Sequence, residues 1–81
     1  MQDQAIYDRL TELFADLFPM DEIALTPQTT AKDIEGWDSF NHISIMVAIE
    51  SRFAIRLTST EFDALANIGA LVRLIQSKLP G

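Results

Sequence analysis

The chain has no cysteine, which excludes a disulfide framework and any thiolate metal site and suits a reducing compartment. Basic residues are scarce too: six Lys and Arg stand against twelve acids, a formal charge of −6. No basic face is available to displace counterions, so nucleic acid is a poor partner. An acidic domain docks more readily on proteins with basic patches. Long hydrophobic runs are also missing. The longest, "ISIMVAI", contains Ser44 and is far too short to cross a bilayer. The opening "MQDQAIYDRL" lacks the basic and apolar regions of a signal peptide. A cytoplasmic protein with no membrane insertion is the expectation. Length is the last shortage. Eighty-one residues, 48% of them hydrophobic, make one domain (1–81) with a modest core and no deep cavity. An enzyme must hold several groups around a buried substrate, so the chain reads as a non-catalytic monomer without a metal.

What is present is helical periodicity. Ile6, Leu10, Leu13, Phe14 and Leu17 fall at offsets of 4, 7, 8 and 11, which predicts a helix over 5–18 with one apolar face. Asp3 is the expected N-cap, and Pro19 ends the helix by disfavouring its predecessor's α conformation. Residues 19–38 carry Pro19, Pro27, Thr29, Thr30 and Gly36 and form a long loop. A loop of that length needs a role or a local turn. "AKDIEGW" supplies one helical turn, with Ile34 and Trp37 pinning it to the core as packing residues.

Asp38 or Ser39 is then expected to cap a second helix reaching to about Arg52. Steps of 100° separate two apolar stripes on it. His42, Ile45, Met46, Ile49 and Phe53 form the first; Phe40, Ile43 and Val47 form the second. A bundle helix needs only one such face for its core, so the second stripe is either a docking surface or the seat of the next helix. Glu50 and Ser39 lie between the stripes. Asn41, Ser44, Ala48, Ser51 and Arg52 take the polar side. Thr58 and Glu61 have capping-box spacing before a short third helix anchored by Phe62 and Leu65. Asn67 caps a last helix with a stripe of Ile68, Leu71, Val72, Ile75 and Leu79, and Gly69 in its first turn costs little. "FAIRL" comes nearest to a strand but has no partner. The expected fold is all-α: a small four-helix bundle, three main helices and one short, with a long loop between the first two.

Ser39 stands at the junction "GWDSF", and three readings compete for it. It is an N-cap, a nucleophile or a covalent anchor. Asp38 and His42 flank it, but "GWDSF" is not the "GxSxG" turn. His42 also lies on the core-facing stripe, where a histidine packs more often than it reacts. A triad further needs an oxyanion hole and an acid that orients the histidine. An anchored phosphodiester, by contrast, would sit at the favourable end of a helix and needs no base from this chain. Ser44 and Ser51 within the helix, Ser59 at a minor helix and Ser77 near the chain end fit that role less well.

"GWDSF" followed by "NHISIMVAIESRF" resembles the attachment motif of acyl carrier proteins, commonly written Asp-Ser-Leu. The resemblance runs through the first helix, the long loop, the short third helix and the closing "NIGALVRLI". It implies a serine bearing 4′-phosphopantetheine, transferred from coenzyme A by a phosphopantetheinyl transferase, whose thiol holds an acyl group as a thioester. Carried over by position, Ser39 is the attachment residue and Asp38 its acidic neighbour. Phe40 replaces the usual leucine, Ile43 and Val47 match places where partner enzymes pack, and Glu50 matches an acidic contact. Acyl-loading and acyl-processing enzymes are the implied partners.

The sequence also departs from the fatty-acid carriers it resembles. Asn41, Ser44 and Ser51 fill places where acids are common, and Arg52 adds a positive charge. Acidity gathers instead in what reads as loop, at Asp16, Asp21, Glu22, Asp33, Glu35 and Asp38. The pattern points to a dedicated, stand-alone carrier of a specialised pathway such as polyketide-type biosynthesis. A carrier of an aminoacyl group and an unmodified carrier-like interaction module are the alternatives.

Overall fold

The computed structural model describes residues 2–19, 23–34 and 36–79. Four α-helices account for most of them: α1 (Asp3–Leu17), α2 (His42–Phe53), α3 (Ser59–Asp63) and α4 (Ile68–Lys78), with a 3₁₀ turn at Ala31–Asp33. No strand occurs among the described residues. The expected all-α bundle is the fold.

Helix α1 packs on both α2 and α4, and the predicted stripes meet where they should. Ile6, Leu10, Phe14, Ile45, Ile49, Leu71 and Ile75 are fully enclosed, and no polar side chain among the described residues is buried with them. Burial of this kind contributes about 25 cal/mol per Å² of apolar surface. Leu17 departs from expectation and stays exposed. It lines an open groove between α1 and α2, where the small side chains of Ala48 and Ser51 leave it uncovered. The α1 start departs as well. Gln2 occupies the N-cap without a side-chain bond, while Asp3, the first helical residue, accepts from Gln76 Nε2 at 3.1 Å. At the other end Phe18 leaves the α region at φ −129° and ψ 67°, the region that the following proline disfavours. Asp16 therefore belongs to α1 rather than the loop. It pairs with Arg52 Nη2 at 3.1 Å, beside a 3.6 Å approach of Arg52 Nη1 to Glu12.

The long loop has a structural role, since it closes the start of α4. The first amides of a helix lack partners within it. Here Ile68 N–H donates to Thr29 C=O at 2.7 Å and Gly69 N–H to Pro27 C=O at 3.0 Å. Asn67 Oδ1 takes Ala70 N–H at 2.9 Å, so the predicted cap holds. Gly69 matters more than expected, because a Cβ there would lie 3.0 Å from the Pro27 carbonyl oxygen. The 3₁₀ turn and buried Ile34 fasten the loop's second half. Of the expected loop acids, Asp21, Glu22 and Glu35 lie outside the described residues.

After α2 the chain turns through Ala54 in the left-handed region, φ 54°. Ile55 and Leu57 are buried with exposed Arg56 between them, so the alternation in "FAIRL" anchors a connector instead of pairing a strand. Thr58 and Glu61 make the predicted capping box: Glu61 N–H donates to Thr58 Oγ1 at 3.1 Å and Thr58 N–H to Glu61 Oε1 at 3.1 Å. Lys78 on α4 binds the other Glu61 oxygen at 2.9 Å. That ammonium first, and the Thr58 N–H second, hold the Glu61 carboxyl below the usual glutamate range.

Candidate functional site

The segment 36–42 is a hydrogen-bonded turn feeding α2. Trp37 anchors it: the indole lies between Phe14 (5.6 Å between centroids) and Phe62 (5.7 Å, stacked at 19°). Trp37 is thus a packing residue, as expected, but its Nε1–H also donates to His42 Nδ1 at 3.1 Å. Asn41 is tied twice, its Nδ2 donating to Gly36 C=O at 2.9 Å and its N–H to Asp38 Oδ1 at 2.8 Å. A carboxylate that accepts an amide three residues on has the geometry of an N-cap.

The capping expectation needs adjustment in detail. Helix α2 begins at His42, with Asn41 as its formal N-cap residue. Its first described backbone bond runs from Ile45 N–H to Asn41 C=O. Residues 39–41 form a turn ahead of the helix, and Asp38 does the side-chain capping. Ser39 does not cap. Its side chain is exposed, and among the described residues its hydroxyl takes no hydrogen bond.

The nucleophile reading finds no geometry. Both ring nitrogens of His42 are engaged elsewhere, Nδ1 by Trp37 and Nε2 by Asp63 Oδ1 at 2.7 Å. The acid that orients His42 is Asp63, at the end of α3, not Asp38. Nothing in the sequence pointed to that pair, which spans 21 positions. The Trp37–His42 bond spans five, a spacing that lines up on neither a helix nor a strand.

The two stripes of α2 separate cleanly. Ile45, Met46, Ile49 and Phe53 are buried, and His42 is half-buried. Phe40, Ile43 and Val47 are 89%, 51% and 53% exposed, so α3 leaves this stripe uncovered. Glu50 is half-buried, and its Oε2 accepts Leu57 N–H at 3.0 Å. Asn41 and Ala48, placed on the polar side by sequence, are both half-buried, Ala48 packing against the core. A cavity of about 160 Å³ adjoins the turn, walled by Trp37, His42, Phe62, Leu65, Ile68 and Leu71.

A family model described as a phosphopantetheine attachment site matches residues 8–75. The chain belongs to the acyl carrier protein family. Among solved structures it resembles the holo acyl carrier protein of Geobacter metallireducens, determined by solution NMR. The two are 38% identical at a TM-score of 0.79, over 89% of this chain and 83% of that one. Membership makes the chain a phosphopantetheine-dependent acyl carrier, and the prosthetic group is covalently attached. Carriers of this family work with transferases and biosynthetic enzymes. Among the described residues no helix is long and apolar enough to cross a membrane.

Proposed function

We propose that Ser39 is the attachment residue and that this single domain, 1–81, delivers acyl groups to cytoplasmic enzymes while catalysing none of their reactions. The observation that carries this reading is the Ser39 hydroxyl: exposed, without an internal hydrogen bond, on a turn whose neighbours are fastened. A hydroxyl in that state fits a covalent phosphodiester, since nothing within the fold has to be broken to free it. The turn leads into the N-terminal end of α2, where negative charge is favoured. When bound, the group supplies a terminal thiol that holds an acyl group as a thioester. Asp38 shapes the turn and leaves one carboxylate oxygen for a transferase to engage.

Phe40, Ile43 and Val47 form the docking stripe, with Glu50 at its edge as an acidic contact. Tethered delivery makes each reaction with a docked enzyme intramolecular. Docking itself is weak and salt-sensitive, so that the carrier leaves after its turn. Partners are a phosphopantetheinyl transferase and acyl-loading and acyl-processing enzymes, met by a monomer. The specialised-pathway reading, polyketide-type biosynthesis, is supported by helix α2, where Asn41, Ser44 and Ser51 stand in places that fatty-acid carriers commonly give to acids and Arg52 adds a positive charge. An aminoacyl group is the alternative cargo. Elongation of acyl chains on this protein by housekeeping fatty acid enzymes at normal efficiency would contradict the specialised reading.

The rival function is an unmodified interaction module, favoured by a stripe that is exposed with or without an arm. Incubation with coenzyme A and a permissive transferase, followed by intact-mass measurement, separates the two. The wild type is expected to gain one arm and Ser39→Ala none. An unchanged wild-type mass would favour the module instead, and a gain in both proteins would move the attachment to another residue.

A further inference from the structure

We propose that His42 and Trp37 form a clasp that positions Ser39 for arm transfer, making His42 a positioning residue of this site; the inference rests on Ser39 as the attachment residue. Trp37 stands two positions before Ser39 and His42 three after it, and the indole–imidazole bond of 3.1 Å closes the ring between them. Indole nitrogen is only a donor, so Nδ1 of His42 is the unprotonated nitrogen. The ring proton is then on Nε2, donated to Asp63 Oδ1 at 2.7 Å. The three groups form one directed chain, from Trp37 through His42 to Asp63.

The chain does what the other two side-chain bonds of the turn do not. Asn41 to Gly36 and Asn41 to Asp38 are internal to 36–41 and fix only its local shape. The clasp ties that shape to the body of the fold. Trp37 is wedged against Phe14 of α1, both rings lie on Phe62 of α3 (5.7 and 4.7 Å), and Asp63 stands on α3 as well. The height of Ser39 above the start of α2 is thereby set relative to the Ile43–Val47 stripe. A transferase seated on that stripe must find the hydroxyl at a fixed place, and small misplacements of a reacting atom lower the rate of the chemical step. Loosening the clasp affects turnover, while the docking contacts remain.

The test uses the full chain with coenzyme A and a permissive transferase, reading kcat and KM for the carrier in four variants. Trp37→Phe and His42→Phe keep rings against Phe62 and remove the bond. Each is expected to lower kcat roughly 2- to 10-fold, the scale of one neutral hydrogen bond, with KM for the carrier nearly unchanged. The double variant is expected to be no slower than the slower single, because both remove the same bond. His42→Asn places an amide oxygen near the Nδ1 position and is expected to recover much of the lost kcat. Circular dichroism at the assay temperature checks that each variant is folded. Nitrogen NMR of the wild type adds a readout that needs no variant, with the Nε2-protonated tautomer expected for His42. Wild-type kcat in both singles, multiplied losses in the double, a change confined to KM, no recovery in His42→Asn, or an Nδ1-protonated ring would each overturn the clasp. If the wild type loads at Ser39 and the singles keep its kcat, the clasp alone fails. If Ser39 takes no arm, the attachment reading fails and the clasp's role with it.

Discussion

The two apolar faces of α2 have nearly the same chemistry and opposite fates. Ile45 and Ile49 on one face are completely enclosed, whereas Ile43 and Val47 on the other are about half exposed, with Phe40 almost wholly in solvent. Composition does not distinguish them; angular position does. Among the described residues, the packing of α1 and the core covers one side of α2 and leaves the other in solvent. The hidden face holds the fold together, and the presented face is left for partners. The helix starts repeat the contrast. The first amides of α4 are closed by Pro27, Thr29 and Asn67, while the turn ahead of α2 braces its surroundings and leaves Ser39 open.

Mutations can break this contrast at each point. Ile49→Ala on the hidden face should destabilise the fold by about 2–5 kcal/mol, through lost transfer energy and a residual cavity. In a domain of ordinary marginal stability this lowers the denaturant midpoint sharply, and an effect below about 1 kcal/mol would mean the face is not tightly packed. Gly69→Ala at the closed helix start should destabilise by about 1–3 kcal/mol, because the new methyl meets the Pro27 carbonyl. A neutral result would show that the loop yields there. Ile43→Ala and Val47→Ala on the presented face should change stability by no more than about 0.5 kcal/mol, yet weaken the response of processing enzymes to the loaded carrier. Equal destabilisation on both faces would erase the distinction.

The smallest effect concerns the ion pair between α3 and α4. Glu61 is held below the usual glutamate range by Lys78 and by the Thr58 N–H. A group whose folded-state value is depressed contributes stability above its unfolded value and loses it as pH falls through the folded one. Thermal melts from neutral pH downward should therefore show a decline below the ordinary glutamate range, and Glu61→Gln should flatten part of it. An identical slope in the variant would remove Glu61 from the acid response.

Much of the fold was legible because its signals are local. The stripe offsets, the Thr58–Glu61 box and the Asn67 cap all follow from rules that operate within a turn or two, whereas the exposure of Phe40, Ile43 and Val47 was decided by where α3 packs. The misses involve partners brought together by packing. Asp3 looked like a cap, but its carboxylate meets Gln76, 73 positions away. Leu17 had the right period and still faces an open groove, because the α2 residues across from it are small. Gly69 read only as a glycine that costs little in a first turn, with no sign of the loop carbonyl that approaches it, and Asp63 gave no sign that it would orient His42. Ser39 itself was legible as a choice among roles. Removing the cap and nucleophile readings required knowing where the Asp38 carboxylate and both imidazole nitrogens were engaged.

The most direct measurement is fragmentation mass spectrometry of the protein purified from its natural host, locating the phosphodiester among its five serines. The arm is expected on Ser39, with Ser44, Ser51, Ser59 and Ser77 unmodified. An arm on any of those four, or a fully unmodified protein, would contradict that assignment.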